Sequence, residues 1–167
     1  MSDTLQQYTL TQLSQLGELY SEAYLFAKSV GDIDWEYPFP EEKLHTFISN
    51  GELYGLNDNP GDVSSAVRLY ENDQTNNHIL HVGKLVTAHS VKGTGFTKHR
   101  LLPAIVKTAN HMHKDELRLT CLAHNSRLRN FYTGLGFRAI AERDAHADTG
   151  SIVRVSEMSL IVTDDVR

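Results

Sequence analysis

Between Leu85 and Leu102 the sequence reads LVTAHSVKGTGFTKHRLL, a strand, a glycine turn and a helix in immediate succession. Gly93 and Gly95 let the backbone turn tightly and come close to a ligand, because neither carries a Cβ. The first amides of the helix that follows lack intrahelical partners and stand at the positive end of its dipole. Such a junction suits a phosphate or pyrophosphate, and Lys92, Lys98 and Arg100 add positive charge around it. It carries neither the G-x-G-x-x-G of dinucleotide folds nor the lysine signature of phosphate-binding loops, so both of those readings fall. A G-x-G between strand and helix also serves simply to turn the chain, and taken alone the stretch leaves that reading open.

A second stretch, NSRLRNFYTGLGF from Asn125 to Phe137, has the make-up of a capped helix. Asn125 is placed to cap it, Leu128, Phe131 and Leu135 form its apolar stripe, and Gly136 stops it. Tyr132 falls beside Phe131 and so cannot share the centre of that stripe. Its hydroxyl is either a satisfied core group or a proton donor. Cys121 is the only cysteine, which rules out an intrachain disulfide. In the apolar segment LRLTCLAH it reads as a small core residue, with a nucleophile near His124 as the alternative. His111 and His113 stand two apart and turn to different faces of a helix, and the scattered histidines show no metal-ligand spacing.

The chain is acidic, with a net charge of −5 and an isoelectric point near 6.0. That argues against nucleic-acid binding, which needs a basic surface to replace counterions, but not against a small anionic ligand held by a few local cations. No apolar run approaches the roughly 18 residues of a membrane span. The opening MSDTLQQYTL has neither a basic leader nor an apolar signal core, so a cytoplasmic location is expected.

The elements that must position these motifs follow from periodicity. No repeat, linker or shift in composition interrupts the 167 residues, and a single domain over 1–167 is expected. Thr9 and Gln12 have capping-box spacing, and Leu13, Leu16, Tyr20, Ala23, Tyr24 and Ala27 recur at helical intervals up to a stop at Gly31. Pro40 opens a second helix with Glu41 and Glu42 in its first turn, a stripe of Leu44, Phe47 and Ile48, and Gly51 at its close. A third helix carries Leu101 to Met112. Strands are expected over 52–56, 63–70, 78–87, 117–122, 137–142 and 157–162, the last two separated by a polar loop, RDAHADTGS. With a further strand before the first helix, the fold class is α/β in the order β-α-α-β-β-β-α-β-α-β-β, a mixed sheet with helices on both faces.

At this point the two motifs resemble those of the GNAT family of acetyl-CoA-dependent N-acetyltransferases. That family's cofactor turn has Gln or Arg, then Gly three residues on, then a small residue two further. Here Lys92, Gly95 and Thr97 occupy those places, and Lys92 departs from the pattern while keeping a donor. The Asn125–Phe137 segment matches the family's second motif at each anchor except Leu128, where a small residue is usual. The resemblance implies a GNAT fold over nearly the whole chain and acetyl-CoA, or coenzyme A, as co-substrate without a metal. It implies that the turn from Lys92 through Gly93, Thr94, Gly95, Phe96 and Thr97 to Lys98 holds the pyrophosphate. Leu85, Val86 and Thr87 would pair with the pantetheine arm, and Asn125 would hold the coenzyme from the other side.

The same resemblance implies chemistry. A backbone amide near Thr87 would serve the developing oxyanion, and Tyr132 would protonate the departing thiolate. The family's usual base position falls on His81, whose ordinary pKa of about 6.5 suits a proton acceptor at neutral pH. Glu52, Glu36 and a water chain are the alternatives. The acceptor is expected over the first helices and the loop between them, where Trp35 and Glu36 stand with Asp32, Asp34 and Tyr37. Carboxylates beside rings suit a cationic amine, unless they are simply solvated loop acids around a core Trp. A small-molecule amine and a peptide or protein amine both stay open, as does a homodimer. The rival function is a non-catalytic acyl-CoA-binding or regulatory module on the same fold.

Overall fold

The computed structural model describes residues 3–30, 36–72 and 77–163. Its first helical turn is set by the expected capping box, with the Gln12 side-chain oxygen accepting from the Thr9 N–H at 2.8 Å. After a 3-10 turn at Leu10–Gln12, α1 runs over Leu13–Ser29 and buries Leu16, Leu19, Tyr20 and Ala23, the i, i+3, i+4, i+7 stripe of an amphipathic helix. Gly31 lies outside the described residues. The second helix, α2 (Glu41–Ser49), buries Leu44, Phe47 and Ile48. Gly51 then takes φ +70°, a left-handed value that favours glycine.

The strands are β1 (Gln6–Gln7), β2 (Leu53–Gly55), β3 (Ser65–Tyr70), β4 (Ile79–Thr87), β5 (Glu116–Leu122), β6 (Arg138–His146) and β7 (Ile152–Ile161). They form one sheet in the order β1-β2-β3-β4-β5-β7-β6. All neighbours are antiparallel except β4 and β5. A parallel pair needs a crossover, and here it is a π-helical turn, Thr97–Leu101, running into α3 (Leu102–His111). The last helix, α4 (Ser126–Gly134), links β5 to β6.

Alternation along the strands produces a core on each face. Leu80, Val82, Leu117, Leu119, Cys121 and Met158 pack with Leu101, Ile105 and Ala109 beneath α3 and α4. Leu53, Ala66 and Val86 pack on the opposite face with the stripes of α1 and α2. Cys121 is therefore the core residue expected, and burial pushes its thiol pKa up. The order of helices and strands is the one the sequence predicts.

Three expectations are corrected. The polar segment RDAHADTGS is a loop only over 147–151: its first four residues belong to β6 and β7 begins at Ile152 rather than at 157, because the two strands keep pairing out to His146↔Ile152. Backbone hydrogen bonds and cross-strand charge pairs such as Arg154–Asp144 (3.3 Å) hold that hairpin, so it needs no apolar alternation. Met112 is exposed rather than inward-facing, at the end of α3. Phe131 is 40% exposed rather than part of a buried stripe. Among the described residues no helix is long and apolar enough to cross a membrane, and no group of three or more His, Cys, Asp and Glu could hold a metal ion.

Candidate active site

The site is made by a parting of strands. β4 and β5 pair over only three positions, Ile79↔Glu116, Leu80↔Leu117 and His81↔Arg118. Beyond them β4 bulges: Arg68 faces Gly83 and Ala66 faces Val86, so Val67 stands opposite both Lys84 and Leu85. A bulge bends its strand and sharpens the local twist. Lys84, at φ +50°, absorbs the turn. The bulge is held from two sides, since the Tyr20 hydroxyl donates to the Lys84 carbonyl at 2.6 Å and Lys84 Nζ pairs with Asp148 at 2.5 Å. A cavity of about 720 Å³ opens between the diverging strands.

One end of the cavity is the glycine turn. Gly93 (φ +75°) and Gly95 (φ +80°) both take left-handed values. A Cβ at Gly95 would sit 2.8 Å from His99 Cδ2. Lys92, Gly93, Gly95, Phe96, Thr97 and Lys98 line this end, and Leu85, Val86 and Thr87 line the adjoining wall. Thr94 does not line the cavity; its hydroxyl donates to the Val91 carbonyl at 2.5 Å and closes the turn. Lys92 donates to Thr87 Oγ1 (3.2 Å) and lies 4.6 Å from the centre of the Phe26 ring. Its half-buried position lowers its pKa, partly offset by Glu22.

Arg100 is not where the sequence reading puts it. Its guanidinium turns to Asp3 (3.0 Å) and Asp58 (2.9 Å) and does not line the cavity. Arg127 of α4 lines it instead, 6.0 Å from the Phe26 ring centre. Spacing along one helix cannot reveal a cation arriving from another.

Tyr132 lines the cavity between Phe131 and Phe137, with ring centroids 5.3 and 5.8 Å away. Burial, with Cys121 nearby, pushes its phenol up to about 12. It therefore keeps its proton at neutral pH, as a donor must. Asn125 is 7% exposed and is not among the cavity-lining residues. Its side-chain oxygen accepts from the Leu128 N–H at 3.0 Å, which is the capping bond expected.

At the other end stand residues of the sheet face opposite α3 and α4. His81 stacks on Tyr70 at 5.3 Å. Burial lowers its pKa, and Arg118 lowers it further. Arg68, Arg118, Thr120, Arg143 and Glu157 line the same region. Glu157 accepts from Arg143 Nε at 2.5 Å. Nothing in their local sequence marks these residues as a site. Their signal was the alternation of Arg118 and Thr120 with Leu117, Leu119 and Cys121, but a polar sheet face ordinarily means solvent.

Two proposed carboxylates lie elsewhere. Glu52 does not line the cavity and pairs with Arg68 at 3.0 Å. Glu36 does not line it either and pairs with Lys43 at 2.7 Å. Trp35, Asp32 and Asp34 lie outside the described residues.

No family model and no curated protein sequence matches the chain. Solved structures do. A GNAT-family acetyltransferase from Listeria monocytogenes superimposes with a TM-score of 0.73 at 16% identity, covering 95% of this chain and 94% of that one. The ribosomal-protein-S18-alanine N-acetyltransferase from Escherichia coli gives a TM-score of 0.70 at 13% identity, with 99% of both chains covered. A GNAT-superfamily phosphinothricin acetyltransferase from Sinorhizobium meliloti, solved with acetyl-CoA, gives 0.70 at 17%, covering 99% of this chain and 91% of that one. The chain has the fold of the GNAT acetyltransferases.

Proposed function

We propose that this protein transfers the acetyl group of acetyl-CoA to a primary amine, with Tyr132 as general acid and His81 as general base. The observation that carries this reading is that one cavity contains a left-handed glycine turn at one end and both titratable groups in its lining. The names of the similar structures, two of which specify N-acetylation or a complex with acetyl-CoA, support it.

The residues fit the co-substrate. Gly93 and Gly95, with Lys92, Lys98 and Arg127 around them, suit a pyrophosphate. The segment Leu85–Thr87, beyond the three paired positions of β4 and β5, has backbone groups to offer the amides of a pantetheine arm. Bound there, acetyl-CoA supplies an activated thioester. The attacking amine must be neutral, and His81, held neutral by burial, takes its proton as the carbon–nitrogen bond forms. As the carbon–sulfur bond breaks, Tyr132 gives its proton to the sulfur. An amide of the β4 segment between His81 and Thr87 would stabilise the oxyanion.

The test is release of free thiol from acetyl-CoA against a panel of amines and peptides, beside a thermal-shift series with CoA, NAD and ATP. CoA at about 100 times its Kd should add roughly 2.7 kcal/mol of stability, while NAD and ATP add far less. Absence of any shift at millimolar CoA would sink the assignment. A shift without turnover on any amine would favour the non-catalytic acyl-CoA-binding module.

A further inference from the structure

We propose that the acceptor amine is carried by a small molecule that also bears a carboxylate, in the manner of a free amino acid, and that Arg118 and Arg143 receive that carboxylate. This rests on the acyl-transfer reading above and names the substrate class for the same cavity.

Among the described residues, the acceptor end of the cavity presents Arg68, Arg118 and Arg143 against a single carboxylate, Glu157. The partners that hold Arg68 and Arg118, Glu52 (3.0 Å) and Glu116 (2.7 Å), are not part of the lining. A guanidinium has five N–H donors in a planar fork. Arg68 spends Nε on Glu52, Arg143 spends Nε on Glu157, and Arg118 spends Nε and one Nη on Glu116, so each fork is oriented while at least one Nη stays outside these pairs. Arg68 is braced further between the rings of Phe47 (4.3 Å) and Tyr70 (4.0 Å). Side chains of Arg68 and Arg118 are only 26% and 23% exposed, so an anion meeting them is partly shielded from solvent.

These cations stand too far along β4 to serve the phosphates. Thr87, beside the glycine turn, lies six positions along β4 from His81, the register partner of Arg118, a distance of roughly 15–20 Å at the rise of a strand. The turn has Lys92, Lys98 and Arg127 of its own. The charge of the described lining also disfavours a second ammonium on the acceptor, which would lie among guanidiniums; Asp32 and Asp34 of the cationic-acceptor expectation lie outside the described residues. Glu36, on which that expectation partly stood, is tied to Lys43 away from the cavity.

The experiment compares kcat/KM, from thiol release, for free amino acids, their carboxamides, a polyamine and a peptide with a free N-terminus. The free acids should exceed their own amides by roughly 10- to 100-fold, the scale of a charge-assisted hydrogen-bond pair. Arg143→Gln should erase most of that ratio through KM, and Arg143→Lys should restore part of it, while CoA still raises the melting temperature of both variants. Equal use of acids and amides, or a preference for the polyamine or the peptide, overturns the proposal and leaves acyl transfer standing. Thiol release with none of the amines overturns both.

Discussion

His81 on β4 and Arg118 on β5 are the last residues to face each other across the parallel ladder before the two strands part. The cavity therefore begins where a titratable ring and a guanidinium lie side by side. Arg118 disfavours a proton on His81, and burial does so more strongly. The proposed base is set by the same geometry that opens the cavity.

The first prediction concerns pH. The folded pKa of His81 lies below its ordinary 6.5, so the neutral form persists into mildly acid solution. The acid limb of kcat/KM should have its midpoint below 6.5, and His81→Gln should remove that limb along with most of the rate. An unchanged limb in the variant would transfer the role to another group. Linkage has a matching sign: the unfolded chain binds this proton more readily, so the His81 contribution to stability is present above about 6.5 and is lost as pH falls through the lower folded value.

The second is Tyr132→Phe, which keeps the packing against Phe131 and Phe137 and deletes the proton. General acid catalysis is worth about 10²- to 10⁴-fold, so kcat should fall within that range while CoA still raises the melting temperature. Wild-type turnover in the variant would show that the thiolate leaves unaided.

The third compares the two glycines. A Cβ at Gly93 meets nothing within 4 Å, so Gly93→Ala should incur only the left-handed backbone cost of about 1–2 kcal/mol. Gly95→Ala adds a 2.8 Å clash with the His99 ring and should lower the melting temperature more and blunt the CoA-induced shift. Combining it with His99→Ala should recover part of the loss. Calorimetry that finds the two glycine variants equal would deny the turn this strict geometry.

The fourth separates capping from catalysis. Asn125→Ala removes the oxygen that accepts from Leu128 and should cost about 1 kcal/mol, whereas Asn125→Asp should retain most of it. CoA affinity should stay within a few-fold of wild type, since Asn125 is buried away from the cavity. A large loss of CoA affinity with unchanged stability would restore the cofactor contact expected from the motif.

What was legible in the sequence were features written in a few consecutive residues. The Thr9–Gln12 box, the Asn125 cap, the left-handed turn at Gly93 and Gly95 and the order of helices and strands all depend on local torsions and short-range periodicity. The Asn125-to-Phe137 spacing did not separate Tyr132 from Phe131: both rings line the cavity, and Tyr132 rather than Phe131 packs on the core with Leu128 and Leu135. The β6–β7 hairpin was missed where pairing with a neighbouring strand, rather than apolar alternation, made residues 143–146 and 152–156 extended.

The tertiary structure decided which charges face the ligand. Lys92, Lys98 and Arg100 look equivalent along the chain, yet Asp3 and Asp58 draw Arg100 away and Arg127 arrives from a different helix. Glu36 and Glu52 look like bases until Lys43 and Arg68 are found against them. The acceptor end brings together β3, β4, β5, β6 and β7, from Arg68 to Glu157. A charge acts through distance and local dielectric, and for residues tens of positions apart both are set only when the sheet has formed.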